Sequence, residues 1–247
     1  MAVLKRIKCL VSYDGSNFNG FQIQKEGRSI QGEIQLALFK IHKERVPITG
    51  SGRTDKGVHA IAQVFHFDTP LNLNGDEWMR ALNSLLPADI YIKEAEVIDS
   101  SFHARFDVKE KTYVYRLNLG DYNPLERNYV YQYNRYLDID RMIEASKLFI
   151  GSNDYRNFCS NSETEVDDYI REVYEIEIDY KNDEVTFTFK GNGFMRYMVR
   201  MMVGTLIAIG AHKETKKYIE ERINNKEHLV TTYNAPSEGL YLKEVKY

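Results

Sequence analysis

The stretch RIKCLVSYD (Arg6–Asp14) decides the reading of the fold. Ile7, Cys9, Val11 and Tyr13 recur at every second position between more polar neighbours, which is the period of a strand with one buried face. From there the pattern changes to a helical one. Ser29 can cap a helix whose apolar positions are Ile30, Ile34, Leu38 and Ile41. A short strand near Val46–Ser51 follows, then a strand over Gln63–Phe67. Asn74 or Asp76 opens a second helix that carries Trp78, Leu82 and Leu85 and stops before Pro87. Tyr91–Val97 closes the series as a strand.

A second stretch, KTYVYRLNL (Lys111–Leu119), restarts the same order, with Tyr113, Tyr115, Leu117 and Leu119 on one face. Asp138 caps a helix bearing Ile139, Met142, Ile143 and Phe149, ended by Gly151. Val173–Tyr180 and Val185–Phe189 read as a hairpin around Lys181-Asn182-Asp183. An apolar helix over Phe194–Ile209, a charged one over Thr215–Asn224 and a strand over Gly239–Tyr247 complete the chain. The fold class that follows is α+β: two ferredoxin-like βαββαβ halves with mainly antiparallel sheets forming a central cleft. The halves are residues 1–105 and 106–247. No Gly/Ser/Pro-rich linker separates them, so they read as fused.

Composition narrows the function classes. Of 247 residues 43% are hydrophobic and 28% charged, the balance of a globular protein. The longest apolar run, Met195–Ala211, is interrupted by Arg196, Arg200, Gly204 and Gly210, so no membrane span is expected. The N-terminus lacks a signal-peptide core. Cys9 and Cys159 read as buried reduced thiols, and these features together point to the cytoplasm. A net charge of −3 argues against nucleic-acid binding by bulk charge, although Lys5, Arg6, Lys8, Arg28, Lys56, Lys109, Lys111, Arg116 and Arg196 could line a local basic groove. The acidic run Glu163–Asp168 reads as a solvated loop. His42, His59, His66, His103, His212 and His228 show no metal-ligand spacing, and no phosphate or dinucleotide fingerprint is present, so neither metal nor cofactor is expected.

The chemistry concentrates in SGRTDKGVHA (Ser51–Ala60). Gly52 and Gly57 bracket Arg53-Thr54-Asp55, and Arg53 and Asp55, two apart, can face one ligand from an extended piece. Taken alone, the same pattern fits a polar turn whose acid bonds its own backbone.

GRTDKGVHA resembles the signature of the TruA family of tRNA pseudouridine synthases. Four further stretches resemble that family's motifs in the same order: YDGSNFNGFQIQ (Tyr13–Gln24), FHARF with KTYVYRL (Phe102–Phe106, Lys111–Leu117), GNGFMRYMVRMMVGTL (Gly191–Leu206) and APSEGLYL (Ala235–Leu242). The resemblance implies an enzyme that converts uridine to pseudouridine at positions 38–40 of the tRNA anticodon stem-loop, acting as a homodimer without a cofactor. It assigns the catalytic carboxylate to Asp55. It makes Tyr113 the ring that stacks on the target uracil, Arg53 the support of the flipped nucleotide, and Arg200 the cation that accompanies the carboxylate. Phe21, Ile23 and Met201 depart from the family pattern, and the first two bear on RNA contacts. Two other readings use the same residues: a non-catalytic RNA-binding protein of this fold, which would tolerate loss of Asp55, Tyr113 or Arg200, and a hydrolase built on Asp55 and His59, which lacks a second positioned acid.

Overall fold

The computed structural model describes residues 4–160, 168–227 and 229–247. Residues 163–167 of the acidic run, and His228, lie outside them. The chain divides into two compact units: residues up to Lys109 together with Leu242–Tyr247, and Glu110–Tyr241.

The first unit runs β1 (Lys5–Tyr13), α1 (Ile30–His42), β2 (Thr49–Gly50), β3 (His59–Thr69), α2 (Gly75–Asn83) and β4 (Ile90–Ile98). The second runs β5 (Glu110–Asn118), β6 (Tyr131–Gln132), α3 (Ile139–Ser146), β7 (Gly151–Asp154), β8 (Ile170–Lys181), β9 (Glu184–Gly191), α4 (Met198–Gly210) and α5 (Lys216–Asn224); β10 (Leu240–Lys246) follows. The fold is therefore α+β, with mainly antiparallel strands.

In the first unit the strands are ordered β4-β1-β3-β10, with β2 also on β3. Antiparallel pairing sets Ile7 opposite Phe67, Cys9 opposite Phe65 and Val11 opposite Gln63. Ile7, Cys9, Val11, Phe65 and Phe67 are buried, as are Ile30, Ile34 and Leu38 of α1 and Trp78 and Leu82 of α2. Trp78 meets Phe67 edge-on at 5.1 Å and stacks on His42 at 5.5 Å. Burying each such side chain contributes about 1.5–3 kcal/mol. Ser29 caps α1 as expected, its hydroxyl accepting from Gly32 N–H at 3.2 Å. Asn74, not Asp76, caps α2: it exchanges side-chain and backbone hydrogen bonds with Glu77, a capping box. α2 ends at Asn83, before Leu85.

β3 is longer than the expected Gln63–Phe67. Its second face is covered too: Val64 clusters with Phe102 and Ala104, with Tyr247 packed against them, and the His66 ring meets Phe102. A strand buried on both sides shows no polar alternation from which to read its length.

In the second unit the order is β5-β9-β8-β7, with β6 parallel to β5. The β8–β9 hairpin turns on Asn182 (φ 51°) and Asp183 (φ 63°), both left-handed, the geometry that matches strand twist in a two-residue turn. The helix expected to reach Phe149 stops at Ser146 and tightens into a 3₁₀ turn over Lys147–Phe149; β7 then starts at Gly151 with φ 104°. β6 and β7 are too short to show a period, and neither was expected. α4 starts at Met198, four residues later than the expected Phe194, because Tyr197 is left-handed (φ 62°) and cannot continue a helix backwards. Every α4 residue but Arg200 is buried. Cys9 and Cys159 are both buried.

Candidate active site

Asp55 sits on a loop held by its backbone. Ser51 N–H donates to Val64 O at 2.7 Å, and its hydroxyl bonds the buried Gln63 amide. Gln63 Nε2 donates to Gly52 O at 3.0 Å. Thr54 is buried; its hydroxyl meets Tyr13 Oη at 2.8 Å, and its carbonyl accepts from Phe21 N–H at 3.1 Å. Burial pushes the Tyr13 hydroxyl pKa up, so it stays protonated. On the far side, Val58 N–H donates to Asp55 O at 3.1 Å and Gly57 N–H to Phe18 O at 3.3 Å. A turn thus closes through the Asp55 backbone carbonyl. It leaves the Asp55 side chain half-buried and Arg53 and Lys56 exposed.

The loop rests on the YDGSNFNGFQIQ stretch. Gly20 has φ 94°, and a Cβ there would lie 2.7 Å from Thr54 O; a Cβ on Gly50 would lie 2.6 Å from the Phe21 ring. Phe21 is buried, so its departure from the family pattern bears on support of the loop, whereas Ile23 is half-exposed. Sequence reasoning left this supporting role out. Its signal was the pair of glycines, Gly15 and Gly20, in a segment otherwise read only for its resemblance.

In the second unit Tyr113 lies on β5 opposite Phe189, buried, its ring edge-on to Phe194 at 5.3 Å. Arg200, in the first turn of α4, donates from Nε to Ala235 O at 2.7 Å, and Ala235 N–H donates back to Arg200 O at 2.9 Å. Its guanidinium carbon lies 4.9 Å from the Tyr197 ring centroid, and that of Arg196 lies 5.0 Å from the same ring. The APSEGLYL segment that supplies Ala235 is fixed in turn by buried Tyr115, whose hydroxyl donates to Pro236 O at 2.8 Å. Burial raises the Glu238 carboxyl pKa, and Arg200 draws it partly back. Sequence reasoning placed Tyr115 on the patterned face of its strand and Tyr197 inside a quoted motif, but gave neither a part in the site.

Several basic candidates are already committed. Arg6 forms a two-pronged bond with Asp68 at 2.8 Å, Arg28 pairs with Glu33 and Asp89, Arg116 with Glu184, and Lys8 with Glu96. These four side chains are therefore engaged by carboxylates within the protein. His59 is buried, its Nδ1 accepting from Gly15 N–H at 3.1 Å and lying 3.2 Å from Asp14 Oδ1, which ties it to the supporting segment. Among the described residues no group of three His, Cys, Asp or Glu could hold a metal ion.

A family model described as tRNA pseudouridine synthase matches residues 10–107 and 145–247. A tRNA pseudouridine synthase A of Anoxybacillus flavithermus is 45% identical over 99% of both chains. A tRNA pseudouridine synthase A 1 of Bacillus cereus is 46% identical over 99% of both. The Bacillus subtilis protein of the first name is 41% identical over 98% of this chain and 99% of its own. Among solved structures, a Cbf5-Nop10-Gar1 complex overlaps at a TM-score of 0.36 and 16% identity, over 81% of this chain and 54% of that one, too loosely to bear on the fold. With relatives matching end to end and the family's motifs lying in both units, the chain belongs to the TruA family of tRNA pseudouridine synthases.

Proposed function

We propose that this protein isomerises uridine to pseudouridine at positions 38–40 of the tRNA anticodon stem-loop, with Asp55 as the catalytic carboxylate. The observation that carries the reading is the loop: its backbone is tied on both sides of Asp55 while the residue itself stays half-buried, in a chain of this family. The reaction breaks the N1–C1′ bond, turns the uracil and forms the C5–C1′ bond; the C5 proton leaves and the freed N1 takes up a proton, so the product is an isomer of the substrate. Nothing is oxidised or reduced. A carboxylate serves by attacking C1′ or C6, or by balancing positive charge at the sugar. The target base must leave its stack to be reached. Arg53 supports the flipped nucleotide, Tyr113 stacks on the uracil, and Arg200 is the cation that a partly desolvated carboxylate needs to stay ionised.

The protein works on tRNA in the cytoplasm as a homodimer in this reading. No helix among the described residues is long and apolar enough to cross a membrane. The test is to treat an unmodified tRNA transcript with the purified protein and map pseudouridine by position. Modification at 38–40 is the expected result; an unmodified transcript, or modification elsewhere only, overturns the reading. Sedimentation at micromolar concentration checks the dimer, and a fully active monomer would reject it.

A further inference from the structure

The turn Phe102–Phe106 ends in an exposed aromatic ring that has no part in the chemistry above. We propose that the outward face of Phe106, with Arg105 beside it, is a stacking site for an unpaired base of the tRNA. The proposal rests on tRNA being the substrate.

The turn is anchored at its base. Phe102 is buried against Tyr247 at 4.9 Å between ring centroids. Ala104 N–H donates to Nδ1 of the buried His66 at 3.1 Å, and Tyr247 Oη donates to Ala104 O at 2.7 Å. His103 meets His66 edge-on at 5.1 Å, and Phe106 stacks on His103 at 4.2 Å with the planes 21° apart. From Phe102 to Phe106 the rings thus lead from the core to solvent, and Phe106 is 75% exposed.

The tip is fixed as firmly. His103 Nδ1 accepts from the N–H groups of both Arg105 and Phe106 at 3.2 Å. Its own N–H donates to Asp107 Oδ2 at 2.7 Å, and Asp107 N–H returns to His103 O at 3.1 Å. A phenyl ring held in one orientation in water adds nothing to burial on folding. It does offer a preorganised apolar face, for which no ordering entropy remains to be lost on binding.

The chemistry of the rim selects the occupant. The Arg105 guanidinium carbon lies 5.8 Å from the Phe106 centroid, a cation at the ring's flank that would also attract a phosphate. Asp107, next in the chain, accepts from His103 N–H at 2.7 Å, and Asp99 accepts from Ser101 N–H at 2.8 Å. An aromatic face flanked by arginine is the arrangement that binds unpaired bases with little regard to sequence. One ring falls far short of the roughly 800 Å² per partner that a stable protein interface buries.

Phe106→Trp gives a direct readout, because the one native tryptophan, Trp78, is fully buried, so the new indole is the exposed one and the parent protein titrated alongside supplies the Trp78 background. On titration with an unmodified tRNA transcript the new indole's fluorescence should be quenched. Phe106→Ala should weaken tRNA binding by about 5- to 100-fold with the salt dependence unchanged. Arg105→Ala should lower the slope of log affinity against log salt by about 1. Phe106→Trp that binds tRNA with native affinity and no quenching overturns the site. So does Phe106→Ala with affinity within twofold of the parent, or quenching produced by raising protein concentration without RNA, which would mean a second copy covers the ring. Pseudouridine mapping on the same samples separates the two readings. Native affinity and modification in Phe106→Ala removes the stacking site alone, whereas quenching without any modification removes the proposed activity alone.

Discussion

The Asp55 loop and the start of α4 hold their candidate side chains by opposite means. Around Asp55 the fixing contacts are backbone contacts: Thr54 O, Asp55 O, Gly57 N–H and Ser51 N–H are all taken, and Gly20 lets a neighbouring segment come within van der Waals reach of them. Arg200 is instead held through its side chain, by the Ala235 carbonyl on one atom and the Tyr197 ring. A carboxylate on a short stem is aimed by fixing the main chain beneath it. A guanidinium on a long flexible stem needs partners along its own length, since several rotors must be stilled. The two regions should therefore fail differently when altered.

The largest effect is expected from Asp55→Asn. The backbone–backbone bonds that fix the loop are untouched by this nearly isosteric change, so the loop should survive and tRNA affinity should stay within about twofold. Turnover should drop by roughly 1,000-fold or more, because an amide neither attacks nor offsets charge. Tritium release from C5-labelled uridine, read beside a binding titration, checks it. Activity within about tenfold of the parent would remove Asp55 from the chemistry.

Gly20→Ala tests the backbone-held side of the comparison without touching a functional side chain. Alanine would be strained at φ 94° and would press on Thr54 O, so we expect at least about 2 kcal/mol lost in urea unfolding. Turnover should fall by up to about 100-fold as Asp55 shifts. A variant as stable and active as the parent would show that the Gly20 contact does not aim the loop.

Tyr197→Leu tests the side-chain-held region. It keeps the residue's backbone strain and removes the ring that Arg200 and Arg196 share. A cation–π contact of about 0.5–2 kcal/mol corresponds to a loss of roughly 2- to 30-fold in turnover. Tyr197→Phe should restore most of it. Equal activity in Leu and Phe variants would leave the Ala235 carbonyl as the sufficient restraint.

An effect of similar, modest size is a pH dependence in the turn that carries Phe106. Burial and the positive Arg6 hold the His66 pKa down to about 4, so folded His66 stays neutral and accepts from Ala104 N–H. The unfolded chain takes up this proton near pH 6.5. Stability from this group is therefore intact above about pH 6.5 and is lost as pH falls towards 4. His66→Asn supplies an acceptor that does not titrate. Between pH 7.5 and 5 the parent should lose about 1–2 kcal/mol more than the variant in urea unfolding. Equal losses would mean that His66 titrates normally in the folded protein.

The sequence by itself determined the surface-facing strands, the Ser29 and Asp138 caps, the β8–β9 hairpin and the identity of the candidate residues. These rest on local physics: a period of two, a hydroxyl or carboxylate placed before an apolar run, turn residues that tolerate positive φ. It also carried the family, through motifs running from Tyr13 to Leu242. Only the tertiary structure decided the rest. β3 is buried on both faces along most of its length and α4 everywhere but at Arg200, so their sequences hold little period from which to mark their ends. The roles of Gly20, Phe21, Tyr115 and Tyr197 come from segments brought together across tens of residues, such as Phe21 with Thr54 and Tyr115 with Pro236. A side chain's neighbours along the chain do not reveal such partners; only the register of the sheets and the path of the loops between them can.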